Sequence, residues 1–388
     1  MRGRAPSPPI QRAWRWLRRE LFGSWQASIS TVVAFALLAW AVPPVWQWAV
    51  TDSRQAPADY EACKAAGGAC WAYLQAKWRL ILFGTYPFDQ QWRPAIAMAW
   101  FAAAVTISCV PAAWASPGRR WGMALLWAAT VGAASVLMPG GVLGLAYVEH
   151  RLWAGAPLTL GLAVIGCSSA FGVAVLLALG RRSEMPLVRV VCVGYIEFIR
   201  GVPLVSLLFL ATILFPLIVP PEVDVDKLLR AQLAFSMFFA AYMAEAIRGG
   251  LQAVPAGQVA AAHAIGLGYW RTQFHVVLPQ ALRHALPSLV NIFIAAFKDT
   301  SLVTIISMMD LLGTANAAKS DPAWWGLYIE SYLFIAGIYF FVCAAMSWYA
   351  RRLERRLAGD GVQQTREEQK TQETRERREK REAAHARL

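Results

Sequence analysis

Apolar residues along this chain gather into long runs, and the segments between them are short, polar and marked by arginine, glycine and proline. A helix needs roughly 20 mostly apolar residues to cross about 30 Å of hydrocarbon. On that criterion the pattern predicts eight spans, near residues 27–50, 94–115, 121–138, 157–179, 187–219, 229–248, 284–305 and 325–349. The expected fold is all-α, a polytopic membrane helix bundle. "RAWRWLRRE" before the first run has the basic character of a signal peptide, but the run is too long and no small-residue cleavage site follows. It reads as a retained anchor.

Composition sharpens this picture. Of 388 residues, 57% are hydrophobic and 16% charged, whereas soluble domains carry about 25% charged residues. The net charge of +13 does not indicate nucleic acid, because the arginines flank apolar runs, where they set topology and meet anionic headgroups. Arg12, Arg15, Arg18 and Arg19 precede the first span; Arg119 and Arg120 separate the second and third; Arg181, Arg182 and Arg189 the fourth and fifth. Arg248, Arg271 and Arg283 bracket the loop after the sixth, and Arg351, Arg352, Arg355 and Arg356 follow the last. With eight spans and a cytoplasmic amino terminus, every cluster falls on the cytoplasmic side, as does the carboxyl terminus. The opposite loop at 220–228 carries Glu222, Asp224 and Asp226 instead.

The chain divides into a basic segment (1–24), a three-helix accessory region (25–155) with an outer loop at 51–92, a working core (156–350) with a cytoplasmic loop at 249–283, and a charged tail (351–388). Cys63 and Cys70 in the outer loop have two readings, a bridge formed in an oxidising compartment or a pair of free thiols. The cysteines at 109, 167, 192 and 343 fall in predicted spans as small apolar fillers. From Gly359 onward the tail is polar all round, either disordered or a solvated helix.

The sequence holds no G-x-x-x-x-G-K-[ST] phosphate loop, no H-E-x-x-H and no cysteine or histidine cluster with metal spacing. His263, His275 and His284 share no helical face at i to i+3 or i+4. No enzyme activity and no cofactor are expected of the chain itself. One loop stands out: "AAHAIGLGYWRTQFHVVLPQALRHALP", residues 261–287. Gly249 and Gly250 read as terminators of the sixth span, an alanine-rich helix follows near 258–265, and Gly266 and Gly268 mark a turn. This is a surface segment outside the membrane.

That loop resembles the segment that marks the permease subunits of ABC importers, E-A-A, three residues, G, nine residues, then I-x-L-P. Ala260, Ala261, Ala262, Gly266, Val276, Leu278 and Pro279 stand at those positions, with Ala260 where the family places glutamate. The stretches "APLTLGLAVIG", "YIEFIRGVPL" and "FKDTSLVTIIS" resemble the polar amino acid uptake branch, and "DLLGTANAAKSDPAWWG" with the three extra spans resembles a permease of the general L-amino-acid transporter. The resemblance covers roughly residues 25 to 357. It implies a type I permease core of five helices preceded by three accessory helices, in a bacterial inner membrane. It also implies an ABC ATPase dimer that carries the ATP and magnesium, a second permease in a heterodimer, and a periplasmic amino-acid-binding protein. The loop would dock on the ATPase.

Ionisable residues within spans usually face a bundle interior or a water-filled cavity. If the seventh span enters near Leu286, twelve residues at about 1.5 Å each place Lys298 roughly 18 Å deep. Lys298, Asp299, Thr300 and Ser301 would then suit an amino acid's carboxylate and ammonium, or Lys298 and Asp299 would neutralise each other. Glu245 with Arg248, and Glu197 with Arg200, share the i to i+3 spacing of paired side chains, as structural pairs or as a gate. An ion-coupled secondary transporter and a membrane scaffold are the rival classes.

Overall fold

The computed structural model describes residues 17–18, 20–220, 222 and 225–355. Arg12, Arg15, Arg19, Asp224, Arg356 and the rest of the tail lie outside them. Among the described residues all regular structure is helical, with two isolated bridges, Arg54 to Cys70 and Gly155 to Asp310. The chain forms two compact units that divide between Trp78 and Arg79. One holds the chain up to Trp78 with Lys319–Glu330, the other Arg79–Ala318 and the chain from Ser331.

The first unit contains α1 (Trp25–Trp46), which continues through a π-helical turn to Thr51. Ser24 caps it by accepting a hydrogen bond from the Ala27 amide at 3.2 Å, and nearly all its large side chains are exposed, as suits a helix surrounded by lipid. A short helix, α2 (Tyr60–Ala66), is capped by Asp59 and ends on Gly67 at φ +67°. Cys63 and Cys70 are joined by a disulfide with Cα atoms 5.5 Å apart. The Cys70 amide donates to Glu330 Oε1 at 2.8 Å, Tyr73 packs on Trp324, and Lys77 pairs with Asp321. The Lys77 ammonium holds the Asp321 carboxyl below its usual range.

α3 (Trp71–Phe83) runs from the first unit into the second. In the second unit α4 (Trp92–Ser108) and α5 (Pro117–Leu137) pack together. Arg93, fully buried, donates from Nε to the Leu137 carbonyl (2.7 Å) and from Nη1 to the Ala146 carbonyl (2.9 Å) and Gln90 Oε1 (3.2 Å). Its Nη2 occupies the space a Cβ would need at Gly140, where φ is +65°. At a nearby junction Gly155 N–H donates to the Met309 carbonyl (2.7 Å), Leu311 N–H to Thr159 Oγ1 (3.0 Å) and Thr314 Oγ1 to the Ile81 carbonyl (2.6 Å). Asp310 caps the helix that follows by accepting from the Gly313 amide (2.9 Å), and burial pushes its carboxyl up.

The core is built on α6 (Ala156–Arg181) and α9 (Lys227–Ala253). Small residues line the contact: Ala170, Ala174 and Ala178 on one helix, Ala234, Ala241 and Ala244 on the other, all buried. Helices in lipid gain nothing from burying apolar surface as such, so close approach and dispersion hold them together. Around this pair lie α7 (Pro186–Gly201), α8 (Leu204–Phe209), α10 (Ala256–Ala264), α11 (Leu278–Asp299), α12 (Leu311–Lys319) and α13 (Ile329–Arg355).

Five helical stretches among the described residues are long and apolar enough to cross a membrane: Trp25–Thr51, Pro117–Leu137, Ala156–Arg181, Tyr269–Ile306 and Ile329–Arg355. The span expected at 187–219 is not a straight helix. Pro186–Gly201 and Leu204–Ile218 meet at 104°, because Pro203 lacks an N–H and drives Val202 into extended backbone (φ −101°, ψ 131°). A second proline, Pro216, leaves the Thr212 carbonyl without its usual partner, a π-helical turn forms there, and Arg230 Nη1 supplies the bond at 3.1 Å. The remaining two predicted spans correspond to α4, only 17 residues long and stopped before Pro111, and α9, long but interrupted by Arg230, Glu245 and Arg248.

Candidate functional site

The expectation that Gly249 and Gly250 end a helix is overturned: α9 runs on to Ala253. Gly250 is there for close approach, since a Cβ would collide with the Ala281 carbonyl oxygen of α11. Termination comes instead from Val254 and Pro255, both extended, after which α10 begins at Ala256. Leu267 N–H donates to the Ala262 carbonyl (3.1 Å) and Gly266 adopts φ +83°, closing the helix and turning the chain toward Tyr269. A π-helical turn at Gln273–Val277 leads into α11, whose first turn contains Pro279.

Of the loop residues singled out by sequence, Ala262 and Leu278 are buried and anchor the segment, whereas Ala260, Ala261, Gly266 and Pro279 are exposed. Alanine at 260 therefore leaves no buried partner unsatisfied within the chain. The exposed side chains are mostly apolar: Ile265 is 77% and Trp270 61% accessible, and Tyr269 and Phe274 flank Trp270 with ring centroids at 5.2 and 5.8 Å. Sequence reasoning named this stretch but not its aromatic face. Tyr269, Trp270 and Phe274 at i, i+1 and i+5 carried the signal.

Behind the loop, the ends of α6, α7 and α9 hold five charged side chains. Glu245 pairs with Arg248 through both Nε and Nη2, the pair expected from their spacing. Glu197 and Arg200 do not pair with each other. Glu197 Oε1 accepts from Arg181 Nη1 at 3.2 Å, and the same nitrogen reaches Glu245 Oε2 at 3.2 Å. Arg200 lies 3.9 Å from that oxygen and stacks over Tyr242 at 5.8 Å. For Glu197 the partner across helices is the closer one. Arg181, read from sequence only as a topology signal, bridges the cluster.

Lys298 and Asp299 sit in the last turn of α11, after which a 3-10 turn runs from Thr300 to Ile306. Lys298 is exposed, Asp299 and Ser301 are half-buried, and Thr300 is buried with its hydroxyl donating to the Phe297 carbonyl at 2.7 Å. Among the described residues the two charges form no ion pair within 4 Å. Nor does any group of three His, Cys, Asp or Glu side chains among them converge as a metal site.

Comparison with known proteins adds the following. Residues 170–359 match the family described as binding-protein-dependent transport system inner membrane component. The chain is 42% identical over 354 residues to the inner membrane amino-acid ABC transporter permease protein YhdY of Escherichia coli, an alignment covering 91% of this chain and 95% of that one. It is 34% identical to the glutamate/glutamine/aspartate/asparagine transport system permease protein BztC of Rhodobacter capsulatus, covering 92% and 97%. Among solved structures, a chain from an amino acid ABC transporter with histidines shares 31% identity, with 52% and 92% covered and a TM-score of 0.46.

Proposed function

From the premise that this chain belongs to the permease subunits of ABC amino-acid importers, a multi-pass protein of the inner membrane, we propose that it forms half of a path for polar L-amino acids. That path carries them inward under the control of a separate ATPase. The observation that carries the reading is α10 and the turn after it: an exposed, apolar, rigidly anchored segment at the motif position, outside every predicted span. It offers the ATPase a docking surface of shape and apolar contact, with no need for the glutamate that Ala260 replaces. Hydrolysis belongs to the partner, since the sequence contains no phosphate loop.

The finer assignments follow from the same reading. The loop end of the bundle is cytoplasmic, in keeping with its arginines. The disulfide-bearing outer unit faces the periplasm, where a loaded binding protein docks. A second, related permease completes the path, and ATP and magnesium stay on the ATPase dimer. Lys298, Asp299, Thr300 and Ser301 line the route. BztC's name lists glutamate, glutamine, aspartate and asparagine, which supports acidic and amide amino acids as the first substrates to try.

Proteoliposomes containing this chain, a second permease and the ATPase, supplied with binding protein, test the assignment. Uptake of radiolabelled amino acids should require ATP inside and binding protein outside, and should survive collapse of the ion gradients. Uptake that persists with a hydrolysis-dead ATPase but stops with the gradients would overturn it.

A further inference from the structure

The ion cluster holds three guanidiniums against two carboxylates, and the imbalance falls on one residue. Glu245 Oε1 takes both contacts from Arg248, while Oε2 faces Arg181 at 3.2 Å and Arg200 at 3.9 Å. One carboxylate is thus shared by cations from three helices: Arg181 from the end of α6, Arg200 from α7 and Arg248 from α9 itself. Among the described residues Glu197 of α7 has one ion-pair partner, Arg181, through the nitrogen that also meets Glu245. Removing Glu245 would take from Arg200 and Arg248 the carboxylate they contact and would cut the ion-pair ties from α9 to the other two helices, leaving the stacking of Arg200 on Tyr242.

The cluster lies on the mechanical route from the loop. Glu245 is two turns before the end of α9, and only Val254 and Pro255 separate that end from α10. Those two residues are extended, and Pro255 cannot relax its φ, so the link is stiff. The last turn of α9 is also gripped from both sides: Arg182 Nη1 donates to the Leu251 carbonyl at 3.2 Å, and Gly250 seats against the Ala281 carbonyl. A displacement of α10 therefore enters α9 at its end, where it meets the Arg182 bond to α6 and then, two turns on, the cluster that joins α9 to both α6 and α7.

The exposure of these groups bears on what the cluster can do. Side chains of Glu245 and Arg181 are each 24% accessible and Arg200 35%. Pairs at this depth are neither buried enough to be immovable nor exposed enough to be irrelevant. A carboxylate with more cations than it can serve can exchange one for another while remaining paired.

We propose that Glu245, with Arg181 as its bridge, is a latch that converts movement of α10 into movement of α6 and α7, and so ties ATP turnover to passage of substrate. Its role is one of positioning; it touches neither nucleotide nor cargo. The proposal rests on the permease reading above. Uptake by the unaltered complex tests that reading, whereas the latch is tested by the ratio of amino acid transported to ATP hydrolysed in variants.

In the reconstituted complex, Glu245→Gln is expected to retain hydrolysis, lose its stimulation by loaded binding protein, and transport about tenfold less substrate per ATP, the scale of a modest coupling free energy. Arg181→Met should behave alike, and the double variant should be no worse than either, because both remove one shared connection. Glu245→Asp, which keeps the charge, should recover much of the ratio. Should Glu245→Gln fail to assemble, Arg181→Met alone carries the same test, since it removes the one nitrogen that meets both carboxylates. Hydrolysis and transport falling in proportion, or additive losses in the double variant, would overturn the latch.

Discussion

Arg93 and Glu245 are both charged groups in the second unit, and they are held in opposite ways. Arg93 is fully buried and meets two main-chain carbonyls and a glutamine amide, with no carboxylate in reach among the described residues. Glu245 is partly accessible and serves three guanidiniums. A buried cation bound by main-chain carbonyls is fixed, because moving it leaves polar groups unpaired on both sides. A carboxylate surrounded by surplus cations is replaceable contact by contact. The first arrangement suits a brace and the second a moving part.

The comparison breaks most readily at Arg93. Arg93→Ala should take their guanidinium donor from the Leu137 and Ala146 carbonyls and open a cavity, costing about 3–5 kcal/mol. A loss of stable protein, or a large drop in the melting temperature of the purified chain, is the expected result; a wild-type melt would show that the brace carries no stability. Gly250→Ala comes next. Its new Cβ meets the Ala281 carbonyl, an overpacking strain of about 1–3 kcal/mol, and the melt should fall less than for Arg93→Ala while the transport ratio falls as well. Glu197→Gln should do least. Its carboxylate is 55% accessible and Arg181 keeps Glu245, so the cost should be about 0–1 kcal/mol. Transport per ATP should stay near wild type, and a loss as large as that of Glu245→Gln would show that the cluster has no single hub.

Much of this was legible in the sequence because it depends on local order. Apolar runs found the helices, and the spacing from Ala260 to Pro279 located the loop; Pro203 is itself a local signal for a break. The size of the break, 104°, was not legible, since proline dictates that a helix bends but its neighbours decide how far. Contacts between distant segments were also hidden. The i to i+3 rule paired Glu197 with Arg200 because only intrahelical distance can be counted from sequence, and nothing local says that the end of α6 passes closer. Nothing local singles out Arg93; its burial depends on the loop at 138–148 folding over it. Gly250 was misread for a related reason. A glycine that ends a helix and one that admits a neighbouring backbone look the same in one dimension.

The bond from Thr314 to the Ile81 carbonyl joins groups 233 positions apart. At about 5–20 residues per second, a ribosome needs some 10–50 s to travel that distance. α3 is therefore made long before the segment that fastens its end, and the Ile81 carbonyl waits for this donor throughout. A chain interrupted anywhere in between would leave the end of α3 without this bond.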